Sequence, residues 1–494
     1  MEYRSTRDPH AHTVSAATAI RQGLAPDGGL FVPTTFPEPS YDLASLTQAD
    51  YQTIAQTVLG WFFPDLADLA GVARAAYGSQ WASAAITPLV DLRGNTSILE
   101  LFHGPTLAFK DVALQALPQL LTRAKQALGA SEETVILTAT SGDTGTAALR
   151  GFRGVAGTRV IVFYPNDGIS PVQEAQMLGQ AGDHQAVVAV EGNFDQAQTR
   201  VKEIFTDPQM AAALADHGQA FSSANSMNIG RLIPQVAYYF AAYGQAVARG
   251  TIKLGEALNF AVPTGNFGDI LAGYYAKQLG LPVGRLICAS NENHVLTDFF
   301  ASGTYDKRRQ FTVTNAPAMD ILVSSNLERL LFAVTGEDAG QVASWMDQLA
   351  TVGCYSVSPA VHAKLGESFA AGYANPDQVK DEIRRVFIED GYLLDPHSAI
   401  GAFVARRYQE ESGDERPTVL LATASPAKFP ETVLAALTGQ DPQTSGQAAL
   451  AELSRRAGQS FAREQTALFG RQARAPRVVT PAEMEATVRE ILQA

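Results

Sequence analysis

Short runs of β-branched residues alternate with helix-like patterns from about Ile86 onward. Such alternation is typical of α/β proteins, in which crossover helices join the strands of a mostly parallel sheet. It predicts three units that each run from strand to loop to helix. Their strands are Thr134–Thr140, Asn259–Pro263 and Thr418–Thr423, their loops span 141–145, 264–269 and 424–429, and their helices begin at Thr146, Ile270 and Pro430. Because ligands in open α/β sheets collect beyond the carboxyl ends of the strands, these loops form the expected binding edge.

The first 95 or so residues lack this strand–helix alternation and predict a separate N-terminal domain, 1–95, ahead of a larger region, 96–494. Glycine and proline are concentrated in Gly23–Pro33, and helical patterns follow at Tyr51–Leu59 and Leu66–Tyr77. Near the other end, 441–472 is rich in Gln, Ala, Ser and Arg and is expected to form surface helix. Further strands are predicted at Arg159–Tyr164, Gln185–Val190 and Arg285–Ala289.

Length and charge narrow the classes of function. The chain has 494 residues and a formal net charge of −13. This acidity argues against nucleic acid as a partner, because binding to a phosphate backbone requires a cationic face. No apolar run reaches the ~20 residues needed to cross a bilayer, and no apolar leader is visible, so we expect a cytoplasmic protein without membrane contact. The two cysteines, Cys288 and Cys354, lack metal-binding spacing and are expected to be free thiols.

The loop 264–269, Thr-Gly-Asn-Phe-Gly-Asp, is suited to binding a phosphate group. Its glycines, Gly265 and Gly268, allow main-chain N–H groups to approach an anion, and the following helix contributes a positive N-terminus. The loop is neither a Walker A sequence nor a complete GxGxxG, which argues against a nucleotide-binding site. A plain tight turn with a helix cap would explain it equally well.

Two other polar segments are candidates for ligand contact. The turn Ser141–Gly145 offers hydroxyl groups and exposed amides at a helix start, although an ordinary N-cap has the same composition. The segment Asn225–Arg231 places two amides, a hydroxyl and a guanidinium within seven residues. An arginine fork matches a phosphate or carboxylate, and a surface arginine beside polar loop residues is the alternative.

Lys110 follows the apolar residues Ala108 and Phe109 and precedes Asp111. Desolvation can lower the pKa of a lysine in such surroundings, which favours the free amine needed for a Schiff base. Asp111 is expected to cap the next helix, and Pro118 within the apolar pattern predicts a kink or a later start. A solvated or snorkelling lysine is the alternative.

Taken together and in this order along the chain, these segments resemble the threonine synthase family of fold-type II, tryptophan-synthase β-like enzymes. The resemblance covers most of the chain, and the lysine segment together with Pro263–Asp269 is its most specific part. It rests on Tyr3–Arg7, Gly28–Pro33, His103–Asp111, Thr140–Gly145, Asn225–Arg231, Pro263–Asp269, Met319–Asn326, Asp395–Ser398 and Thr423–Phe429.

The resemblance implies an α/β fold with open, mostly parallel sheets and flanking helices in a large and a small domain, the small one nested at roughly 103–240, beside the N-terminal domain. It implies pyridoxal 5'-phosphate as cofactor, with Lys110 as its Schiff-base partner and proton carrier. Thr423 would place a hydroxyl beside the pyridine nitrogen. The cofactor phosphate would be bound by Gly265, Asn266, Phe267, Gly268 and Asp269.

For the family, the implied reaction converts O-phospho-L-homoserine and water to L-threonine and phosphate by β,γ-elimination and water addition. The enzyme would be a carbon–oxygen lyase acting on phosphates, with no metal, and a monomer or homodimer. One set of substrate contacts, at the amino-acid end or the cofactor hydroxyl, would come from Ser141, Asp143 and Thr144. The substrate phosphate would be held by Asn225, Ser226, Asn228 and Arg231.

Two departures from the family pattern leave roles open. One branch of the family has Asn where Asp143 stands, so the residue that contacts the 3'-oxygen of the cofactor is undetermined. Ser425 occupies a place where the pattern favours His, and it has no assigned role.

Two alternatives remain at this stage. One is another fold-type II enzyme, such as a serine/threonine dehydratase or a β-replacing synthase. The separate N-terminal unit and the Asn225–Arg231 cluster favour a phosphorylated substrate instead. The other is a non-catalytic relative that binds small phosphates or proteins, and Lys110 together with both glycine loops argues against it.

Overall fold

The chain is described here from a computed structural model that covers residues 1–166, 168–471 and 475–493. Its strands are, in chain order, β1 (Glu2–Ser5), β2 (Thr13–Ser15), β3 (Phe31–Pro33), β4 (Leu89–Asp91), β5 (Thr96–Glu100), β6 (Glu133–Ala139), β7 (Thr158–Pro165), β8 (Gln185–Val190), β9 (Gln219–Ser222), β10 (Leu258–Pro263), β11 (Val283–Ser290), β12 (Thr304–Asp306), β13 (Cys354–Ser356), β14 (Phe369–Tyr373), β15 (Thr418–Ala422) and β16 (Arg477–Val479).

The α-helices connect and cover these strands. They are α1 (Ala16–Gln22), α2 (Leu43–Gln48), α3 (Tyr51–Phe62), α4 (Leu69–Ala76), α5 (Lys110–Leu128), α6 (Asp143–Gly151), α7 (Pro171–Gln180), α8 (Phe194–Thr206), α9 (Pro208–Asp216), α10 (Ile229–Leu232), α11 (Val236–Ala248), α12 (Gly268–Gln278), α13 (Val295–Ser302), α14 (Leu327–Val334), α15 (Ala339–Thr351), α16 (Pro359–Ser368), α17 (Pro376–Asp390), α18 (Pro396–Ser412), α19 (Pro430–Thr438), α20 (Gly446–Ala457), α21 (Ala462–Phe469) and α22 (Met484–Leu492).

Two parallel sheets carry the loops that the sequence singles out. Within the described residues, one sheet has the order β14-β11-β10-β15-β5-β4 and is parallel except for β4, which is antiparallel to β5. The other has the order β16-β8-β7-β6-β9 and is parallel throughout. Every residue of β10 and β15 is buried, as expected for parallel strands that are covered on both faces. The predicted α/β class with mostly parallel sheets is confirmed.

The N-terminal residues form a small antiparallel sheet, β2-β1-β3, together with helices that share a hydrophobic core with the rest of the chain. Tyr77 illustrates the contact, since its hydroxyl donates a hydrogen bond to the carbonyl of Val112 in α5 at 2.9 Å. The domain limits expected at residues 95, 103 and 240 stay a prediction.

Helix α5 differs from its prediction at two points. It begins at Lys110, with Phe109 rather than Asp111 in the N-cap position, and it runs on through Pro118. Proline has no N–H to donate to the carbonyl four residues earlier, which here belongs to Leu114. That carbonyl faces α6 at Gly151, where an added Cβ would lie 2.0 Å from the Leu114 oxygen. The close approach of α6 therefore requires glycine at this point.

The C-terminal part returns to the smaller parallel sheet. Strand β16 extends that sheet by pairing with β8, and the sequence analysis did not predict this strand. The expected helices of 441–472 are present as α20 and α21, which pack against α19 and α7, while Gln472 lies outside the described residues. Cys288 and Cys354 are both free, as predicted. Among the described residues, no helix has both the length and the apolar character needed to cross a bilayer.

Candidate active site

A cleft of about 720 Å³ opens beyond the carboxyl ends of β6, β10 and β15, strands that come from both parallel sheets. This volume includes space that is open to solvent. Residues of the loops 141–145 and 264–269 line it, and Thr423 lines it just ahead of the third loop. Most of the candidate residues therefore lie around one cleft.

Lys110 reaches the cleft because the residues before it pair with the end of β15. The N–H of Phe109 donates to the carbonyl of Thr423 at 2.8 Å, and the N–H of Ser425 donates to the carbonyl of Leu107 at 3.0 Å. These bonds hold Lys110 as the first residue of α5, directly beside Thr423. Main-chain hydrogen bonds on either side of Lys110 therefore set the position of its amine.

The Lys110 amine is buried, and burial lowers the pKa of Lys110 to about 8. Asp143, whose Oδ2 lies 4.0 Å from Nζ, opposes this shift, while the positive charges of Arg231 and Lys428 add to it. Asp269 also opposes it. About a tenth of Lys110 is thus a free amine at pH 7, and about half at pH 8, far more than for an ordinary lysine. The free amine is the nucleophilic form.

The loop after β10 turns sharply at Phe267, whose φ of 65° places a non-glycine residue in the left-handed region. Helix α12 starts at the next residue, and the Phe267 side chain gives its N-terminus no cap. Gly268 and Asp269 in that first turn line the cleft. An uncapped helix N-terminus presents N–H groups and a positive partial charge, a suitable site for a phosphate.

The segment around 318–326 fixes this loop from behind. The Ser324 hydroxyl donates to the carbonyl of Gly265 at 2.7 Å. Asn326 donates to the carbonyl of Asn266 through both its main-chain N–H and its side-chain amide, each at 3.0 Å. A Cβ at Gly265 would lie 3.3 Å from the carbonyl oxygen of Ala318, which is a tight contact. Glycine therefore lets the loop close against this segment without displacing it.

The turn after β6 is organised by Thr140, whose hydroxyl oxygen accepts hydrogen bonds from the N–H groups of Gly142 at 3.0 Å and Gly145 at 2.9 Å. The carboxylate of Asp143 is buried, pairs with Lys428 at 2.9 Å and accepts from the Gln173 amide at 2.9 Å. Burial would raise the pKa of Asp143, but Lys428 and Lys110 outweigh it and hold this pKa well below its ordinary value. Asp143 is therefore ionised.

Arg231 is a buried cation that faces the cleft. Its Nη1 donates to the carbonyl of Ala224 at 2.5 Å, and its Nε has no hydrogen-bond partner among the described residues. Burial lowers the pKa of Arg231 to about 10, against the opposing charge of Asp269, so the guanidinium stays charged at neutral pH. A buried cation with unused donors is suited to an anionic ligand.

Asp269 also lines the cleft and is buried. Burial raises the pKa of Asp269 to about 7, although its own main chain and that of Ile270, together with Lys110 and Arg231, lower it in part. Its Oδ1 accepts from the N–H of Ile270 at 2.9 Å. This carboxyl group changes charge close to neutral pH.

His397 also lines the cleft, and the sequence analysis gave it no role. Its Nε2 accepts from the N–H of Ala318 at 3.2 Å, which assigns the ring proton to Nδ1, 2.7 Å from the carboxylate of Asp395. Because both ring nitrogens are hydrogen-bonded, the His397 ring has a fixed orientation in the cleft wall and no free nitrogen to act as a base. Its signal in the sequence was the segment Asp395–Ser398, which carried the resemblance without a named function.

Comparison with known proteins matches the chain along most of its length. Residues 2–77 match the model "Threonine synthase N terminus", residues 83–424 match "Pyridoxal-phosphate dependent enzyme", and residues 398–467 match "Threonine synthase, C-terminal". Threonine synthase from Saccharomyces cerevisiae is 37% identical over 470 residues, which cover 88% of this chain and 89% of the yeast protein. The chain belongs to the threonine synthase family.

Two further members of the threonine synthase family extend the comparison. The PLP-bound threonine synthase from Brucella melitensis has a crystal structure that superimposes with a TM-score of 0.84 at 39% identity and covers 100% of both chains. Human threonine synthase-like 1 is 40% identical over 432 residues, which cover 85% of this chain. The chain spans only 57% of the length of that human relative.

The cleft brings together most of the residues expected for a threonine synthase. Those that line it are Lys110, Ser141, Thr144, Asn225, Ser226, Arg231, Gly265, Asn266, Gly268, Asp269 and Thr423. Phe267 lies behind the loop, where its ring packs against Phe300 and Phe369. Asp143 borders Lys110 but is turned towards Lys428.

Asn228 is the candidate that the geometry supports least. Its side-chain amide donates to the carbonyls of Ile20 and Ser223, both at 3.0 Å, and its oxygen accepts from the N–H of Gly230 at 2.9 Å. It thereby caps α10 and anchors the segment to the N-terminal part. Its contact with a substrate phosphate stays a prediction, and its bonds indicate that it positions Arg231 instead.

Ser425 and Lys428 are the remaining residues without a role from sequence. Ser425 begins the short 3-10 turn Pro426–Lys428, and its hydroxyl accepts from the N–H of Ala427 at 3.3 Å. Lys428 is completely buried behind the cleft. In the sequence, only the apolar neighbours of Lys428 in Pro-Ala-Lys-Phe could have indicated its burial. Such neighbours are equally compatible with a lysine whose charged end reaches solvent.

The residues of the cleft fit pyridoxal phosphate by their chemistry. Lys110 supplies an amine that burial makes reactive, and the uncapped start of α12 with its tight glycine supplies a phosphate cradle. Thr423, at the end of β15, supplies a hydroxyl in the same cleft. The unused Nε of Arg231 leaves a second group for an anion beyond the cofactor phosphate.

Proposed function

We propose that this protein is a threonine synthase that converts O-phospho-L-homoserine and water to L-threonine and phosphate. One observation carries the choice of substrate. The cleft that contains Lys110 also contains two separate anion-binding features, the N-terminus of α12 and the buried guanidinium of Arg231. One serves the phosphate of the cofactor, and the other serves a phosphate on the substrate. An unphosphorylated amino acid would leave the second feature without a partner.

Pyridoxal phosphate, when bound, withdraws electrons from an attached amino acid and acidifies the hydrogens on its Cα and Cβ. The family's cofactor would be held by Lys110, by the 265–269 loop and by Thr423. Arg231 and the neighbouring Asn225 and Ser226 would orient the substrate phosphate towards departure. Ser141 and Thr144, at the start of α6, would hold the amino-acid end.

Lys110 is the amine in the cleft that can move protons. Its pKa of about 8 lets the amine accept a proton from carbon and return it at neutral pH. The two engaged nitrogens of His397 exclude that ring from the same task. A single flexible amine that reaches both carbons explains how elimination and the later proton return can use one residue.

The activity is tested with purified protein, pyridoxal phosphate and O-phospho-L-homoserine. Equal amounts of inorganic phosphate and L-threonine, with a time course that follows enzyme concentration, are the expected result. A dehydratase would instead release ammonia and a 2-oxo acid from serine or threonine, without free phosphate. That outcome would overturn the proposal while keeping the fold and the cofactor.

Replacing Lys110 by alanine tests its role directly. Lys110→Ala should abolish cofactor attachment and lower the rate of threonine formation by at least about 10²–10⁴-fold, because proton transfer loses its carrier. The fold should persist, since burial disfavours the charged amine and the substitution removes that cost. Borohydride reduction followed by peptide mass spectrometry measures attachment, and circular dichroism measures folding.

Assembly and location are finer parts of the same proposal. A monomer or homodimer is expected, and light scattering coupled to size exclusion distinguishes the two. A cytoplasmic location stays a prediction of the sequence.

A further inference from the structure

Lys428 is a fully buried lysine that lies behind the cleft and takes no part in the proposed reaction steps. It follows β15, and its Nζ lies 2.9 Å from each of three acceptors, Oδ1 of Asp143, Oε1 of Gln176 and the carbonyl oxygen of Thr106. These acceptors belong to α6, to α7 and to the loop that precedes Lys110. Lysine is almost never buried completely unless it is paired, so the burial of Lys428 depends on these three acceptors.

Asp143 stands between two lysines. Its Oδ1 is 2.9 Å from Nζ of Lys428, and its Oδ2 is 4.0 Å from Nζ of Lys110. The amide of Gln173 holds the first of these oxygens from a third side at 2.9 Å. One carboxylate carries one negative charge, so the ammonium that approaches more closely neutralises most of it.

The other charged groups around Lys110 do not replace this carboxylate. Asp111, on the same helix, is turned towards Thr106, whose N–H and hydroxyl both donate to it at 2.7 Å. Arg231 disfavours a charged Lys110, and Asp269 favours it. His397 lines the cleft and is engaged with Asp395. Because burial keeps Asp269 partly neutral near pH 7, Asp143 is the anion that would hold Lys110 as an ammonium.

We propose that Lys428 is a positioning residue that neutralises Asp143 and thereby keeps Lys110 available as a free amine. It also ties α7 and the loop before Lys110 to the turn that carries Asp143, so charge and position are set together. The inference rests on the proposed function in one respect, that Lys110 is the lysine to which the cofactor attaches.

The test measures how fast pyridoxal phosphate attaches to Lys110 as a function of pH, in full-length protein stripped of cofactor. Borohydride trapping and peptide mass spectrometry identify the site. Free pyridoxal phosphate titrates identically in every reaction, so a difference between variants reports the Lys110 amine. In Lys428→Met, Asp143 is left facing Lys110, and the midpoint pH should rise by at least about 1 unit, a typical effect of an opposite charge within ~4–6 Å.

Companion variants separate charge from structure. Asp143→Asn should lower the midpoint, and the double variant Asp143→Asn/Lys428→Met should return it towards the wild-type value, because both charges are gone. Lys428→Arg should restore most of the wild-type profile. Lys364→Met is the control, since this exposed lysine donates to the carbonyl of Val334 at 3.1 Å, and it should leave the midpoint unchanged.

Each outcome decides between the possibilities. A lower melting temperature in Lys428→Met with an unshifted midpoint would make Lys428 merely structural and overturn the inference. Should Lys428→Met not fold, a midpoint in the double variant no higher than in Asp143→Asn would overturn it as well. Failure of the wild-type protein to attach the cofactor at Lys110 would instead contradict the proposed function.

Discussion

At the scale of single residues, the cleft contains charges that ordinary folding would not place there. Arg231 is 4% exposed and Asp269 is 5% exposed, and neither forms an ion pair among the described residues. Burial of unpaired charge costs free energy that only a ligand or a neighbouring charge recovers. Strongly shifted pKa values that gather in one cleft are therefore a physical indication of a functional site.

Arg231→Gln should weaken recognition of the substrate phosphate. The loss of a charge-assisted hydrogen bond is worth about 1.5–3 kcal/mol, so kcat/KM for O-phospho-L-homoserine should fall by about 10- to 100-fold. Cofactor attachment at Lys110 should persist. Arg309→Gln, which removes an arginine paired with Asp298 at 2.8 Å, is the control and should keep wild-type kinetics. Equal losses in both variants would indicate a general effect on stability.

Asp269 makes stability depend on pH. Its folded-state pKa of about 7 lies above the ordinary value of 3.8, so the folded protein holds this proton more tightly than the unfolded chain. Relative to Asp269→Asn, the wild-type free energy of unfolding should be highest below pH 4 and should fall as the pH rises from about 4 to 7. The full difference is about 4 kcal/mol. Urea unfolding of both proteins without cofactor across this range measures it, and parallel pH profiles would refute the assignment.

At the scale of elements, helix ends position the groups of the cleft. Helix α18 begins after Asp395, whose carboxylate caps the N–H groups of His397 and Ser398 at 2.9 and 3.1 Å and also binds the ring of His397. The Ser398 hydroxyl in turn accepts from the N–H of Thr423 at 3.3 Å, next to Lys110. One N-cap thus joins a helix start, an oriented imidazole and the end of β15.

Asp395→Ala should cost more than an ordinary cap. The lost cap is worth about 1 kcal/mol, and the unsatisfied His397 ring adds about 1–3 kcal/mol, so stability should fall by about 2–4 kcal/mol. Activity should fall too, because His397 loses its orientation. Asp338→Ala is the matched control, since Asp338 caps α15 through the N–H of Gln341 at 2.9 Å on the exposed side. It should cost about 1 kcal/mol and leave activity intact.

At the scale of the whole molecule, Arg329 joins parts of the chain that are far apart in sequence. It is 1% exposed, and its Nε donates to the carbonyl of Phe31 at 3.0 Å and its Nη2 to the carbonyl of Met227 at 2.7 Å. Its Nη1 donates to Asn326, the residue that holds the carbonyl of Asn266. The N-terminal sheet, the Asn225–Arg231 segment and the phosphate loop are therefore connected through one guanidinium.

Arg329→Met should destabilise the protein and loosen its cofactor site together. Buried carbonyls that lose a partner cost about 1–3 kcal/mol each, so a loss of at least about 3 kcal/mol is expected in chemical unfolding. The dissociation constant for pyridoxal phosphate should rise, because the 265–269 loop loses its support. Arg407, an exposed residue that pairs with Glu411, offers the control Arg407→Met, for which both quantities should change little. An unchanged cofactor affinity in Arg329→Met would disconnect the N-terminal sheet from the site.

Much of the fold could be predicted because its signals are local. Strand β8 was predicted with the same limits as observed, β10 and β15 within one residue at each end, and α19 with the same start. Continuous apolar runs and helix-starting prolines are properties of neighbouring residues, which a sequence displays directly. Helix α12 starts two residues before the predicted Ile270, and α5 starts at Lys110 instead of after Asp111. These starts were missed because Phe109 and Phe267 are held in place by partners distant in the chain.

The sequence by itself determined the α/β class, the order of the three loops and the prominence of Lys110, since periodicity and glycine spacing are encoded residue by residue. Only the tertiary structure decided which polar groups remain available in the cleft. The side-chain amide of Asn228 donates to main-chain carbonyls, and both ring nitrogens of His397 are hydrogen-bonded. Asp143 pairs more closely with Lys428 than with Lys110. Hydrogen bonds and burial are set by residues up to several hundred positions apart. The free amine of Lys110 and the unused donors of Arg231 therefore follow from the fold and not from their local sequence.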